Sequence, residues 1–163
     1  MALTPDKVFG SDFYSGTGEN IERILNMIEI GGGRLASLTD EDLAIYQEEV
    51  DRLINSRLSP YYAVPLAKDI GGFFPFPIPF IAARIVAADI IHNEFTEIEA
   101  NKSEAALTMK RNALDELDRL TMGARAGTQR LEGQRVKSRD RFPRPTIIPL
   151  TQPPETGGGR PLA

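Results

Sequence analysis

The sequence predicts a mainly α-helical protein, a small bundle of three long helices and one short one, carrying an extended N-terminal arm and a long proline- and arginine-rich C-terminal tail. Two observations carry this. Between residues 21 and 123 apolar residues recur at spacings of three and four, each stretch bounded by glycine or proline. Outside those limits the periodicity disappears and glycine, proline and polar residues take over. The expected organisation is an arm over 1–20, a helical core domain over 21–123 and a tail over 124–163. A chain of 163 residues has room for one such core, since domains of ~100 to 150 residues bury a self-sufficient interior.

The first twenty residues mix Pro5, Gly10, Gly16 and Gly18 with isolated aromatics, which suits an extended arm. Ile21, Ile24, Leu25 and Ile28 then follow helical spacing, with Glu19 and Glu22 in the first turn and Gly31-Gly32-Gly33 as the stop. The first long helix is expected from Thr39, as N-cap of a capping box closed by Asp42, to about Ser59, where Pro60 ends it. Leu43, Tyr46, Val50, Ile54 and Leu58 form its buried stripe, widened by Leu53. Residues 61–78 form an apolar connector whose alternating prolines forbid a ladder. The second long helix, about Pro79 to Glu99, is apolar nearly all round and should be the central one. The third, about Ser103 to Met122, presents Ala106, Ala113, Leu117 and Leu120 on one face, with Gly123 as its stop.

Beyond Gly123 the chain is polar and arginine-rich, and Phe142 to Ala163 hold six prolines. Such a segment buries too little apolar surface to fold alone. One island, Thr146-Ile147-Ile148-Pro149-Leu150, has the composition of a short strand that pairs with another chain's sheet. Neither end has a means of ordering itself, so neighbouring chains are expected to hold both.

Several functions are excluded by counting. With no cysteine there is no disulfide framework, thiolate metal site or thiol nucleophile. His92 is the single histidine, so the usual zinc sets cannot form, and it reads as a structural histidine. Glu48-Glu49 and the Glu97/Glu99 pair read as solvating charge, and no Gly-x-Ser-x-Gly turn presents a nucleophile. The glycine triplet lacks a following Lys-Ser/Thr and reads as a hinge or helix stop. No enzyme, cofactor or metal is expected. The most apolar stretch, 73–95, carries Arg84, Asp89, His92, Glu94 and three prolines, and the N-terminus lacks a signal-peptide pattern, so neither secretion nor a membrane span is expected.

The net charge of -4 hides a polarity: residues 1–122 hold 11 Lys/Arg against 20 Asp/Glu, and residues 123–163 hold 8 against 3. An acidic body thus carries a basic tail, a form that pairs with an acidic protein surface or with nucleic acid. Within the tail, Arg139, Arg141 and Arg144, with the apolar Phe142, Ile147, Ile148 and Leu150, are the candidate partner interface. Arg84 and Asp89 on the apolar helix require partners, either within the chain, with Asp51 or Arg57, or across a subunit boundary. Asp51, Arg57, Tyr62, Arg84 and Asp89 are therefore the inter-subunit candidates.

Three pieces, in this order and spacing, resemble the head-tail connector (adaptor) proteins of tailed bacteriophages. The first is Val50-Asp51-Arg52-Leu53-Ile54-Asn55-Ser56-Arg57-Leu58 running into Tyr61-Tyr62-Ala63-Val64-Pro65-Leu66. The second is the alanine-rich Ile81 to Ile91, and the third is Lys110 to Gly123. The resemblance covers about residues 38–123; the glycine triplet, the Phe-Pro-rich stretch at 73–79 and the long tail lie outside the pattern. It implies a non-enzymatic virion subunit, assembled in the host cytoplasm, forming a homo-oligomeric ring, commonly a dodecamer. Such a ring joins the portal protein to the next neck or tail protein, and DNA passes through its lumen without specific binding. An acidic lumen agrees with that, because like charge keeps DNA sliding. On this reading the tail reaches into the neighbouring ring. The alternative from another class is a small helical nucleic-acid-binding regulator that uses the basic tail.

Overall fold

The computed structural model describes residues 12–30, 38–95, 100–127 and 130–137, and the fold is mainly α. Four helices follow one another: α1 (Gly18–Ile30), α2 (Asp40–Leu58), α3 (Ile78–Phe95) and α4 (Ala100–Ala126). Among the described residues the only β pairing is an isolated antiparallel bridge between Tyr62 and Val136. The strand expected around 146–150, the glycine triplet and residues 1–11 lie outside the described residues.

The architecture follows from α3, which packs against each of the other three helices. Ile78, Ile81, Ile85 and Ile90 are fully buried, and Ala82, Ala83, Ala87 and Ala88 between them are also sealed from solvent. A helix apolar all round has no side to leave in water, so it takes the centre. The alanines let neighbours approach closely while each buried isoleucine contributes ~1.5–3 kcal/mol. α1 lies on α3 through Ile21, Ile24 and Ile28, and contacts neither α2 nor α4 to any extent. α4 presents Ala106, Ala113, Leu117 and Leu120, the face expected from its spacing.

α3 and α4 run antiparallel, and a ladder of polar contacts records their register. Arg84 pairs with Glu116, Lys110 Nζ lies 2.5 Å from Asp89 Oδ1, and His92 Nδ1 lies 2.8 Å from Ser103 Oγ. The charges that the sequence set on an apolar helix thus find partners within the chain. Those partners are on α4, not Asp51 or Arg57, because the length of the antiparallel contact brings Glu116 and Lys110 alongside.

α2 begins as its sequence requires. Asp42 N–H donates to Thr39 Oγ1 at 3.1 Å and Thr39 N–H donates to Asp42 Oδ2 at 3.2 Å, completing the capping box. Several boundaries differ from expectation: α1 begins at Gly18, inside the stretch expected as an extended arm, and α4 at Ala100, a turn before Ser103. α4 does not stop at Gly123 but continues to Ala126, and Gly127, with φ of +72°, takes the left-handed conformation that ends it. Ala124 is buried, which gives the helix reason to run on for another turn. The packed chain also extends past 123: Leu131 is buried and residues 130–137 lie along the connector.

Candidate functional site

Three features of the surface are built from the connector and the two chain ends. The first seats the end of the N-terminal arm. Gln47, Asp51 and Asn55 stand at i, i+4 and i+8 on α2 and so form one stripe along the helix. Gln47 Nε2 donates to Ser15 O at 3.2 Å and to Ser15 Oγ at 3.1 Å. Tyr14 N–H donates to Asp51 Oδ2 at 3.1 Å, and Tyr14 Oη donates to Asn55 Oδ1 at 2.5 Å while accepting the Leu66 N–H at 3.0 Å. The Tyr14 ring, 2% exposed, meets Phe74 edge to face at 4.8 Å. One tyrosine therefore ties the arm to α2, to the connector and to the loop that follows it.

Among the described residues Asp51 has no cation partner. Burial pushes its carboxyl up to about 7, only partly opposed by the Tyr14 N–H. The Tyr14 phenol is raised as well, chiefly by burial, against the hydrogen bond from Leu66.

The second feature is a strap. Residues 130–137 run antiparallel to the connector, with Ala63 N–H donating to Arg135 O at 3.1 Å and Lys137 N–H donating to Tyr61 O at 2.8 Å. Gln134 acts as a clamp, its Oε1 accepting from Ala67 N at 2.9 Å and its Nε2 donating to Ala67 O at 2.8 Å. Tyr62 is fully buried beneath the strap, and its hydroxyl accepts the Leu131 N–H at 3.2 Å.

The third feature is an exposed apolar loop. Asp69 N–H donates to Phe73 O at 2.7 Å and Phe73 N–H to Asp69 Oδ1 at 2.8 Å, closing a tight turn in which Gly72 adopts φ of +80°. That turn pushes Ile70, Phe73 and Phe76 outward, with relative exposures of 109%, 58% and 82%. Together with Arg130, Glu132 and Gly133 of the strap they line an open cleft of about 910 Å³. Clustered apolar exposure of this kind marks a contact surface, whereas single exposed residues such as Ile45 are ordinary.

The five core residues singled out from sequence are not one cluster. Asp51 faces the arm and Tyr62 lies under the strap. Arg57 reaches Asp118 of α4 at 3.0 Å on the open surface, with side chains 45% and 40% exposed. Arg84, also stacked over Phe80 with its guanidinium carbon 4.8 Å from the ring centre, and Asp89 line the α3–α4 seam. Arg139, Arg141, Phe142, Arg144, Ile147, Ile148 and Leu150 lie outside the described residues. Sequence reasoning missed Tyr14, Gln47 and Asn55; the polar i, i+4, i+8 stripe beside an apolar one was their available signal. It also missed Gln134, which no pattern announces.

Among the described residues no group of three or more His, Cys, Asp or Glu is arranged to hold a metal ion, and no helix is long and apolar enough to cross a membrane. The chain matches no protein-family model, no curated protein sequence and no solved structure.

Proposed function

We propose that this protein is a structural subunit of a phage neck, forming an adaptor ring that joins the portal to the next neck or tail protein and surrounds the DNA channel. The observation that supports this most is the packing of the three segments that carry the family resemblance. The end of α2 with the connector, the alanine-rich α3 and the second half of α4 form one continuous body, each touching the other two.

The division of labour is mechanical. The helical body sets the packing of copies in the ring, its acidic balance keeps DNA from adhering to the channel, and the chain ends reach out to neighbouring subunits. Arg57, Arg84 and Asp89 are already paired inside the chain, so a neighbouring subunit meets these ion pairs as neutralised, partly exposed groups. The exposed loop at Ile70–Phe76 supplies the apolar contact that a lasting interface needs.

Co-sedimentation with a purified portal ring tests the proposal. The expected result is a complex in which several identical copies travel with each portal. A protein that sediments alone at every ratio contradicts it.

A further inference from the structure

The strap fixes the direction of the chain at Lys137. Arg135 stands opposite Ala63, Val136 opposite Tyr62 and Lys137 opposite Tyr61, while the Gln134 side chain reaches along the connector to Ala67. The chain therefore moves from the apolar cleft, whose wall includes Glu132, Gly133 and Gln134, toward the C-terminal end of α2. At Lys137 it is three residues past Gln134 of the cleft wall, at most ~11 Å of extended chain, and is heading away from it.

The remaining 26 residues, 138–163, contain an apolar group, Phe142 with Ile147, Ile148 and Leu150, interspersed with Pro143, Pro145 and Pro149. These prolines favour an extended course and lower the entropy lost on docking. Aromatic-lined clefts take extended proline-rich segments on those grounds. Ile147 lies ten residues past Lys137, a reach of up to ~35 Å, enough to arrive at an adjacent molecule. Folding back onto its own cleft demands that the chain reverse the direction in which it stands at Lys137. The cleft rim offers Lys68 and Arg130 against Asp69 and Glu132, so no net charge repels the segment.

We propose that the Ile70–Phe76 cleft of one copy receives the Phe142–Leu150 segment of a second copy, so that each subunit is laced to the next. The contact is head to tail: cleft and segment are different surfaces, and such contacts build closed rings when the rotation between copies closes. The inference rests on the ring reading above and specifies what joins its subunits.

The test uses two full-length double variants, Ile70→Ser with Phe76→Ser in the cleft and Ile147→Ser with Ile148→Ser in the tail, weighed in solution by light scattering. Wild type is expected to form multimers, and each variant alone to associate roughly a hundredfold more weakly, the effect of withdrawing two apolar side chains from a contact. Mixed together, they are expected to form a one-to-one pair, because the cleft variant's intact tail meets the tail variant's intact cleft. Circular dichroism and melting temperature matching wild type establish that each variant is folded. Ile45→Ser, an exposed apolar position outside the loop, is expected to leave assembly unchanged. If either double variant multimerises like wild type, or the mixture stays monomeric, the lacing is wrong while the ring reading stands. A wild type that is itself monomeric overturns both.

Discussion

Replacing Asp51 by asparagine should make the protein more stable than wild type above neutral pH and leave the two nearly equal in acid. Asp51 is part-buried beside the arm, with the Tyr14 N–H as its hydrogen-bond donor and, among the described residues, no cation to favour its charge. The rise of its carboxyl from 3.8 to about 7 means that the folded chain holds this proton more tightly than the unfolded chain does. Its stabilising contribution is therefore complete below about pH 4, declines as the unfolded chain loses its proton, and is gone above about pH 7. The rise corresponds to ~4 kcal/mol as an upper bound. Solvent screening of a side chain with this much water contact reduces it to ~1–2 kcal/mol. Asparagine keeps an oxygen for the Tyr14 N–H and carries no charge, so its stability lacks this component. Urea unfolding of both proteins, followed by circular dichroism at constant ionic strength in steps from about pH 4.5 to about pH 8, reads the difference directly. The difference should grow in favour of asparagine by ~1–2 kcal/mol and level off near neutrality. A difference that is constant across the range, or that shrinks as pH rises, refutes the reasoning.

Other perturbations follow from the same contacts. Tyr14→Phe removes the hydroxyl that serves both Asn55 and the Leu66 N–H, and should cost ~1–3 kcal/mol in denaturant unfolding, whereas Tyr14→Ala also loses a buried ring and should cost ~3–5 kcal/mol. Lys110→Met leaves Asp89, with a side chain only 19% exposed, without its cation and should destabilise by ~1–2 kcal/mol, while Arg57→Ala breaks a surface pair and should cost under ~1 kcal/mol. Filter binding to duplex DNA should be weak at every salt concentration for the intact chain; tight binding with a steep salt slope would favour a nucleic-acid-binding regulator.

Much of the fold was legible because local signals and burial agree. Thr39 and Asp42 announce α2 by a reciprocal pair of hydrogen bonds that needs only four consecutive residues. The apolar girth of α3 states its central position, since no other place hides every side of a helix. The end of α4 was misjudged because a glycine is a stop only where the backbone turns left-handed. Both Gly123 and Gly127 stand near the end of the pattern, and burial of Ala124 decides between them. The strap was not legible at all. Arg130, Glu132, Arg135 and Lys137 give residues 130–137 the composition of a tail, and the segment is held by backbone hydrogen bonds, the Gln134 clamp and a single buried leucine. Hydrogen bonds between main chains leave no trace in residue type. The arm anchor is an intermediate case: Tyr14 is one of the isolated aromatics in a glycine-rich stretch, with nothing to single it out, and its receiving stripe on α2 becomes meaningful only once the arm lies across it.

Electron microscopy of the purified protein, alone and mixed with a portal, addresses the neck assignment most directly. Closed rings of many four-helix bodies, seated coaxially on the portal with the channel open through both, are the outcome expected of an adaptor. A strictly monomeric particle that leaves the portal bare would contradict it.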